Sequence, residues 1–206
     1  MTDHQVYLVA GLGNPGPAYE NTRHNAGFLV IDALADQYDI RVDRRKFDVL
    51  FGRGRMRGHE VLLAKPQAYM NRSGPPLRAL CDYFRIQREA VVIVHDDIDL
   101  AFTRLKIKEK GGDGGHKGLR SLIQSFGGGD FTRVRLGVGR SEFGAGAADH
   151  VLGHFRNGET QMLQELLQRA CEAVLTILCE GTKAGMNRFN SNTLTSNGGQ
   201  NGRRSE

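Results

Sequence analysis

The sequence predicts an α/β domain with helices on both faces of a mixed sheet, and three observations carry that prediction. Short apolar runs rich in β-branched residues alternate with stretches of helical period. One pair of strand-like runs is joined at Arg57-Gly58 as a hairpin, so the sheet cannot be wholly parallel. A chain of 206 residues supplies one full-sized core and is short for two.

Taken in order, residues 5–10 form a short apolar run that reads as a buried first strand, ending in the Gly/Pro-rich turn 11–17. Phe28, Ile31, Leu34, Ala35 and Tyr38 follow helical spacing, which predicts an amphipathic helix over 25–38. Residues 47–56 and 59–64 are the two arms of the hairpin, followed by a polar loop over 65–74. Pro75 and Pro76 suit the first turn of a helix reaching Phe84. Residues 91–94 are a strand that stops at His95-Asp96-Asp97, and 104–108 alternate basic and apolar side chains, as in a strand with one wet face. A glycine cluster over 111–115 opens a helix over 116–126; 134–138 is another strand, and 162–178 a long helix ended by Gly181. The domain is assigned to residues 1–190, and 191–206 read as a disordered tail, being too polar to bury a core.

Composition narrows the setting. Hydrophobic residues at 39% and charged residues at 25% describe an ordinary globular chain. No run approaches the roughly 20 apolar residues of a membrane span, and MTDHQVYLVAGLGNPG lacks the basic start and apolar core of a secretory signal. The three cysteines have no metal-type spacing; Cys171 and Cys179 lie in an apolar periodic run and are expected to be buried thiols. A reducing, cytoplasmic location follows as the expectation.

The net charge of +5 is unevenly placed. Residues 104–140 hold nine basic side chains against Glu109, Asp113 and Asp130, a net +6, which leaves the rest of the chain at −1. Such a segment points to a polyanionic partner such as nucleic acid; the alternative is a solvated basic face.

Gly11-Leu12-Gly13-Asn14-Pro15-Gly16 matches G-x-G-x-x-G after a strand, yet a dinucleotide site needs a helix to open at those glycines. Here Pro15 and Pro17 lack an N–H, and helical period begins only near Asn25. A nucleotide-cofactor enzyme is therefore a rival reading that binding of any dinucleotide would revive.

Chemistry is expected in the loops after apolar strands. His24 follows a polar turn and can serve as a general base. Asp96, at the end of a buried strand, can orient a histidine ring, with Asp97 and Asp99 competing for that role. Asn14 and Asn71 offer a donor and an acceptor each, suited to a peptide backbone or a polarised carbonyl, and Tyr69 and Met70 can supply apolar walls. Ser73, Ser121, Ser125 and Ser141 have no nucleophile-elbow context, and neither H-E-x-x-H nor C-x-x-C occurs. A base without a protein nucleophile implies an activated water.

These residues fall in motifs that resemble the bacterial-type peptidyl-tRNA hydrolases. The motifs are GLGNPGPAYENTRHNAGF (11–28), KPQAYMNRSG (65–74), VHDDIDL (94–100), GGDGGHKGLRS (111–121), RVRLGVGR (133–140) and GTKAGMNRFN (181–190), in one order over roughly 5–190. The resemblance implies a single three-layer α/β/α domain around a mixed, mostly parallel twisted sheet, monomeric and without metal or cofactor. It implies hydrolysis of the ester joining peptide to tRNA, recycling tRNA after premature release from ribosomes. By motif, His24 takes the general-base position, Asp96 that of its orienting carboxylate, and Asn14 the place that helps distinguish N-blocked from free aminoacyl-tRNA. Tyr19, Tyr69, Met70, Asn71, His116 and Lys117 fall on positions for the CCA end or peptide. Lys108 and Arg135 fall on the cluster that clamps acceptor-stem phosphates.

One departure stands out: where many members read G-G-H-N-G, this chain has Lys117 in the asparagine's place. A charged lysine donates hydrogen bonds but cannot accept them. The rival within the same fold is a non-catalytic RNA-binding homologue, against which the joint presence of His24, Asp96, Asn14 and Asn71 argues.

Overall fold

The computed structural model describes residues 5–140 and 146–191; Ser141 and all of the expected tail beyond Ser191 lie outside the described residues. Seven strands form one sheet in the order β2-β3-β4-β1-β5-β7-β6. They are β1 (Val6–Gly11), β2 (Arg44–Lys46), β3 (Val49–Met56), β4 (His59–Pro66), β5 (Val91–Asp97), β6 (Leu105–Lys108) and β7 (Thr132–Gly137). The pairs β4–β1, β1–β5 and β5–β7 are parallel, while β2–β3, β3–β4 and β6–β7 are antiparallel. Only β3 and β6 therefore run against the rest, and the sheet is mixed and mostly parallel as expected.

Helices cover both faces, giving three layers. On one face α1 (Ala26–Gln37), α5 (Thr160–Glu180) and α6 (Thr182–Phe189) pack Val30, Ile31, Leu34, Leu166, Val174 and Phe189 onto Val9, Val92, Val94 and Val134. On the other, α2 (Gly74–Phe84) and α3 (Lys117–Phe126) pack Leu77, Leu80, Leu119, Leu122 and Phe126 onto Leu8, Ala10, Leu62 and Ile93. Leu8 and Val9, or Val92 and Ile93, face opposite layers because strand side chains alternate. The strands buried on both faces thus read as continuous apolar runs.

The chain leaves β1 through α1 to reach β4 on one side, then crosses on α2 over the opposite face to β5 on the other. This reversal opens a crevice at the carboxyl ends of β4, β1 and β5, the usual ligand position in open α/β sheets. The glycines of the 11–16 turn serve packing there. A Cβ on Gly11 would sit 2.2 Å from the Gly27 carbonyl oxygen, and α1 opens only at Ala26, so the turn presents no helix N-terminus to a pyrophosphate. The hairpin turn has φ of +49° at Arg57 and +88° at Gly58, as a two-residue turn of the right twist requires.

Several elements differ from the sequence reading. β5 continues through His95 and Asp96 to Asp97, because β7 pairs with it along its whole end. The short strand β2 and the helices α4 (Ala147–Leu152) and α6 were not anticipated. α6 leads into Asn190, whose side chain accepts from the Ile107 N–H (2.7 Å) and donates to its carbonyl (3.0 Å), covering the open side of the edge strand β6. Cys171 is buried, but Cys179 is exposed, a correction to the expected pair of buried thiols. Eight residues along a helix rotate a side chain by about 80°, enough to leave the core stripe. Among the described residues no helix is long and apolar enough to cross a membrane.

Candidate active site

Asn14, His24, Tyr69, Met70, Asn71, Asp96, Lys108, His116, Lys117 and Arg135 line one cleft of about 770 Å³. Of the site residues expected from sequence, only Tyr19 is missing from its wall; it braces Tyr69 instead, ring to ring at 6.4 Å and nearly perpendicular. Tyr69 and Asn71 are exposed, while Met70 is buried and belongs to the core as much as to the cleft.

At the centre, His24 Nδ1 lies 2.9 and 3.0 Å from the two carboxylate oxygens of Asp96. A carboxylate only accepts, so a neutral His24 carries its proton on Nδ1 and leaves Nε2 as a free lone pair. Asp96 is 1% exposed and receives a second histidine: His116 Nε2 stands 3.0 Å from Oδ1. His116 Nδ1 accepts from the Gly118 and Leu119 N–H groups at 3.1 and 3.3 Å, capping α3. An acceptor Nδ1 fixes the proton on Nε2, which therefore donates to Asp96. Two histidines of opposite tautomer thus share one carboxylate. Burial alone would raise the Asp96 carboxyl, but the two histidines outweigh it and hold the group well below the usual carboxylate range.

Three ligand atoms of His24, Asp96 and His116 lie within 4.8 Å of one another, a spacing that can hold a metal. The capping role of His116 argues against it. A metal on Nε2 would leave both ring nitrogens without protons, since Nδ1 is occupied by two donors.

The structure separates Asp96 from its competitors. Asp97 pairs with Arg135 at 2.7 Å and Asp99 with Arg140 at 2.5 Å, so only Asp96 reaches a histidine. Asn14 is fixed as well. Its N–H donates to Asn25 Oδ1 (2.8 Å), its carbonyl accepts from Asn25 Nδ2 (3.0 Å), and its Oδ1 accepts from the Met70 N–H (2.8 Å). With Oδ1 so occupied, the Asn14 amide offers its NH₂ group to the cleft.

Other contributors were not visible in sequence. Arg133, counted among the basic residues, is buried and donates to the carbonyls of Gly111 (2.5 Å), Gly112 (2.6 Å) and Gly129 (3.1 Å), shaping the glycine loop ahead of His116. His95 is fully enclosed, donates from Nδ1 to the Asp96 carbonyl at 2.6 Å, and meets the His116 ring at 4.9 Å. Burial, then the nearby His116, pushes its imidazole down to about 3, so it is neutral over the working range. α4 adds Val151 and Leu152 to the wall. Lys108 and Lys117 are exposed at the rim with no ion pair among the described residues.

The family model described as peptidyl-tRNA hydrolase matches residues 8–197. A peptidyl-tRNA hydrolase of Caldanaerobacter subterraneus is 45% identical over 185 residues, 90% of this chain and 100% of that protein. One from Bacillus subtilis is 43% identical over 186 residues, 90% of this chain and 99% of its own length. The crystal structure of peptidyl-tRNA hydrolase from Acinetobacter baumannii superposes with a TM-score of 0.85 at 36% identity, covering 92% of this chain and 97% of the other.

Proposed function

The chain belongs to the bacterial-type peptidyl-tRNA hydrolase family and is a hydrolase of that class, and from this premise we propose that His24 is the base that activates water against the ester between peptide and tRNA. The observation that carries the reading is the His24–Asp96 contact at 2.9 Å, with Nε2 free of any partner among the described residues and the ring lining the cleft.

Water enters between Nε2 and the ester carbonyl. His24 takes its proton as the oxygen bonds to the carbonyl carbon, and Asp96 stabilises the imidazolium that forms. The negative oxygen of the tetrahedral intermediate is met by the amide donors of Asn14 and Asn71 and by the Lys117 ammonium at the rim. The C–O bond to ribose then breaks, and the imidazolium returns its proton to the leaving ribose oxygen. His116 keeps Asp96 ionised and in place, a role in addition to the substrate contact expected from its motif. Tyr69 and Met70 form apolar wall for the substrate's end, Tyr19 acts through Tyr69, and Lys108 with Arg135 takes the acceptor-stem phosphates. The reaction asks for no metal or cofactor, and the enzyme works as a cytoplasmic monomer.

The test is release of peptide from peptidyl-tRNA by the wild type and by His24→Ala, with tRNA binding measured alongside. The wild type cleaves, and the variant loses about 10² to 10⁴ in rate while still binding tRNA. A wild type that binds tRNA without releasing peptide is the non-catalytic RNA-binding homologue, for which Lys117 is the favouring feature.

A further inference from the structure

The turn that carries His24 also carries a buried arginine for which the hydrolytic step has no use. Arg23 is 6% exposed, and its guanidinium reaches a segment about 130 positions further along the chain. Nη1 donates to the carbonyls of Gly153 (3.5 Å) and His154, and Nη2 to both carboxylate oxygens of Glu159 at 3.0 and 2.7 Å. The guanidinium also lies 5.1 Å from the centre of the Phe155 ring. The backbones join too: the Arg23 N–H donates to the Gly153 carbonyl at 3.0 Å, and Thr22 bridges His154 in antiparallel fashion.

The segment so gripped follows directly on α4, which gives the cleft Ala147, Ala148, Val151 and Leu152. α4 is only six residues long and buries one side chain, Val151. A helix of that length is not stable alone, so its position must be set by attachments. Besides the packing of Val151, two polar attachments stand out among the described residues: His150, whose Nε2–H donates to the Val138 carbonyl at 3.1 Å, and the Arg23 clasp. A planar guanidinium can hold two carbonyls and a bidentate carboxylate together, which an ammonium cannot.

We propose that Arg23 and Glu159 are positioning residues that lock the α4 wall of the cleft to the turn bearing His24. The proposal rests on the reading of the cleft as the peptidyl-tRNA site. The clasp touches neither Asp96 nor the free nitrogen of His24, so its loss loosens the seat of the substrate and leaves the proton chemistry alone.

Two variants test this, Glu159→Gln and Arg23→Lys, each with two readouts. Amide hydrogen exchange over residues 147–152 accelerates in both variants, whatever the activity. In peptide release, KM rises about fivefold in Glu159→Gln and more in Arg23→Lys, with kcat within about twofold in Glu159→Gln and the midpoint of its pH profile unchanged. Unchanged exchange over α4, or a Glu159→Gln loss confined to kcat with a shifted pH profile, overturns the clasp. A wild type that releases no peptide overturns the reading of the site itself, while the exchange data still decide whether Arg23 holds α4.

Discussion

The His24–Asp96–His116 network and the basic rim of β6, β7 and the start of α3 line the same cleft, yet they meet water differently. In the first, a carboxylate 1% exposed is shared by two imidazoles at 2.9 and 3.0 Å, and a third, His95, is buried beside them. In the second, Lys108 and Lys117 are exposed and unpaired among the described residues, and Arg135 is half-buried against Asp97. Buried charges feel one another strongly and added salt hardly at all, while exposed ones are screened within about 8–10 Å at ordinary ionic strength. On the proposed reading, proton chemistry rests on the buried network and RNA affinity on Lys108 and Arg135, one sensitive to protonation and the other to salt, while Lys117 serves the oxyanion from the rim.

The largest expected effect is on the buried side. Asp96→Asn replaces an acceptor for two N–H donors with a group that must donate at one of its positions, which favours the wrong tautomer of His24. Peptide release falls by about 10² to 10⁴, with tRNA binding within about twofold. Comparable losses in both would erase the separation.

Next comes stability against pH. His95 titrates near 6.5 when unfolded but near 3 when folded, so between those values the unfolded chain holds the extra proton. Stability then increases with pH and is lost as pH falls below about 6.5, by up to about 1.4 kcal/mol per unit. Urea melts between pH 6.5 and 5 should show this slope reduced by up to one proton in His95→Asn; an equal slope in both proteins places His95 outside the buried group. Asp96, with its depressed carboxyl, contributes stability that persists through this window and is lost only in stronger acid.

The smallest effects belong to the rim. Lys108→Ala and Arg135→Ala raise KM by about five- to tenfold each at low salt, and each flattens the log–log salt dependence of binding by roughly one phosphate's worth. A kcat defect with an unchanged salt slope would move these residues into the chemistry.

Much of the architecture was readable because it is written locally. The apolar run of β1, the helical period of α1 and the Arg57-Gly58 hairpin depend on neighbours a few residues away. α4 and α6 escaped because six and eight residues carry too little period to register, and α6 has Gly185 at its middle. The site was legible as a set of residue types, but not in its wiring. By residue type alone Asp96, Asp97 and Asp99 compete, and only the motif resemblance favours Asp96; the physical reason is the β5–β7 pairing that brings Arg135 beside Asp97. His116 reads from its motif as a substrate contact; that its ring also caps α3 and meets Asp96 is visible only in the fold. Arg133 counts as surface charge in the sequence, whereas the fold spends it on two glycine-loop carbonyls and that of Gly129.

The most direct test is the protonation pattern of the two histidines that share Asp96, read by ¹⁵N NMR of the free enzyme at a pH where both rings are neutral. His24 is expected to carry its proton on Nδ1 and His116 on Nε2, opposite tautomers in one protein, with the bare Nε2 of His24 facing the cleft. If His24 instead holds its proton on Nε2, it has no lone pair to offer water there, and its assignment as the base is contradicted.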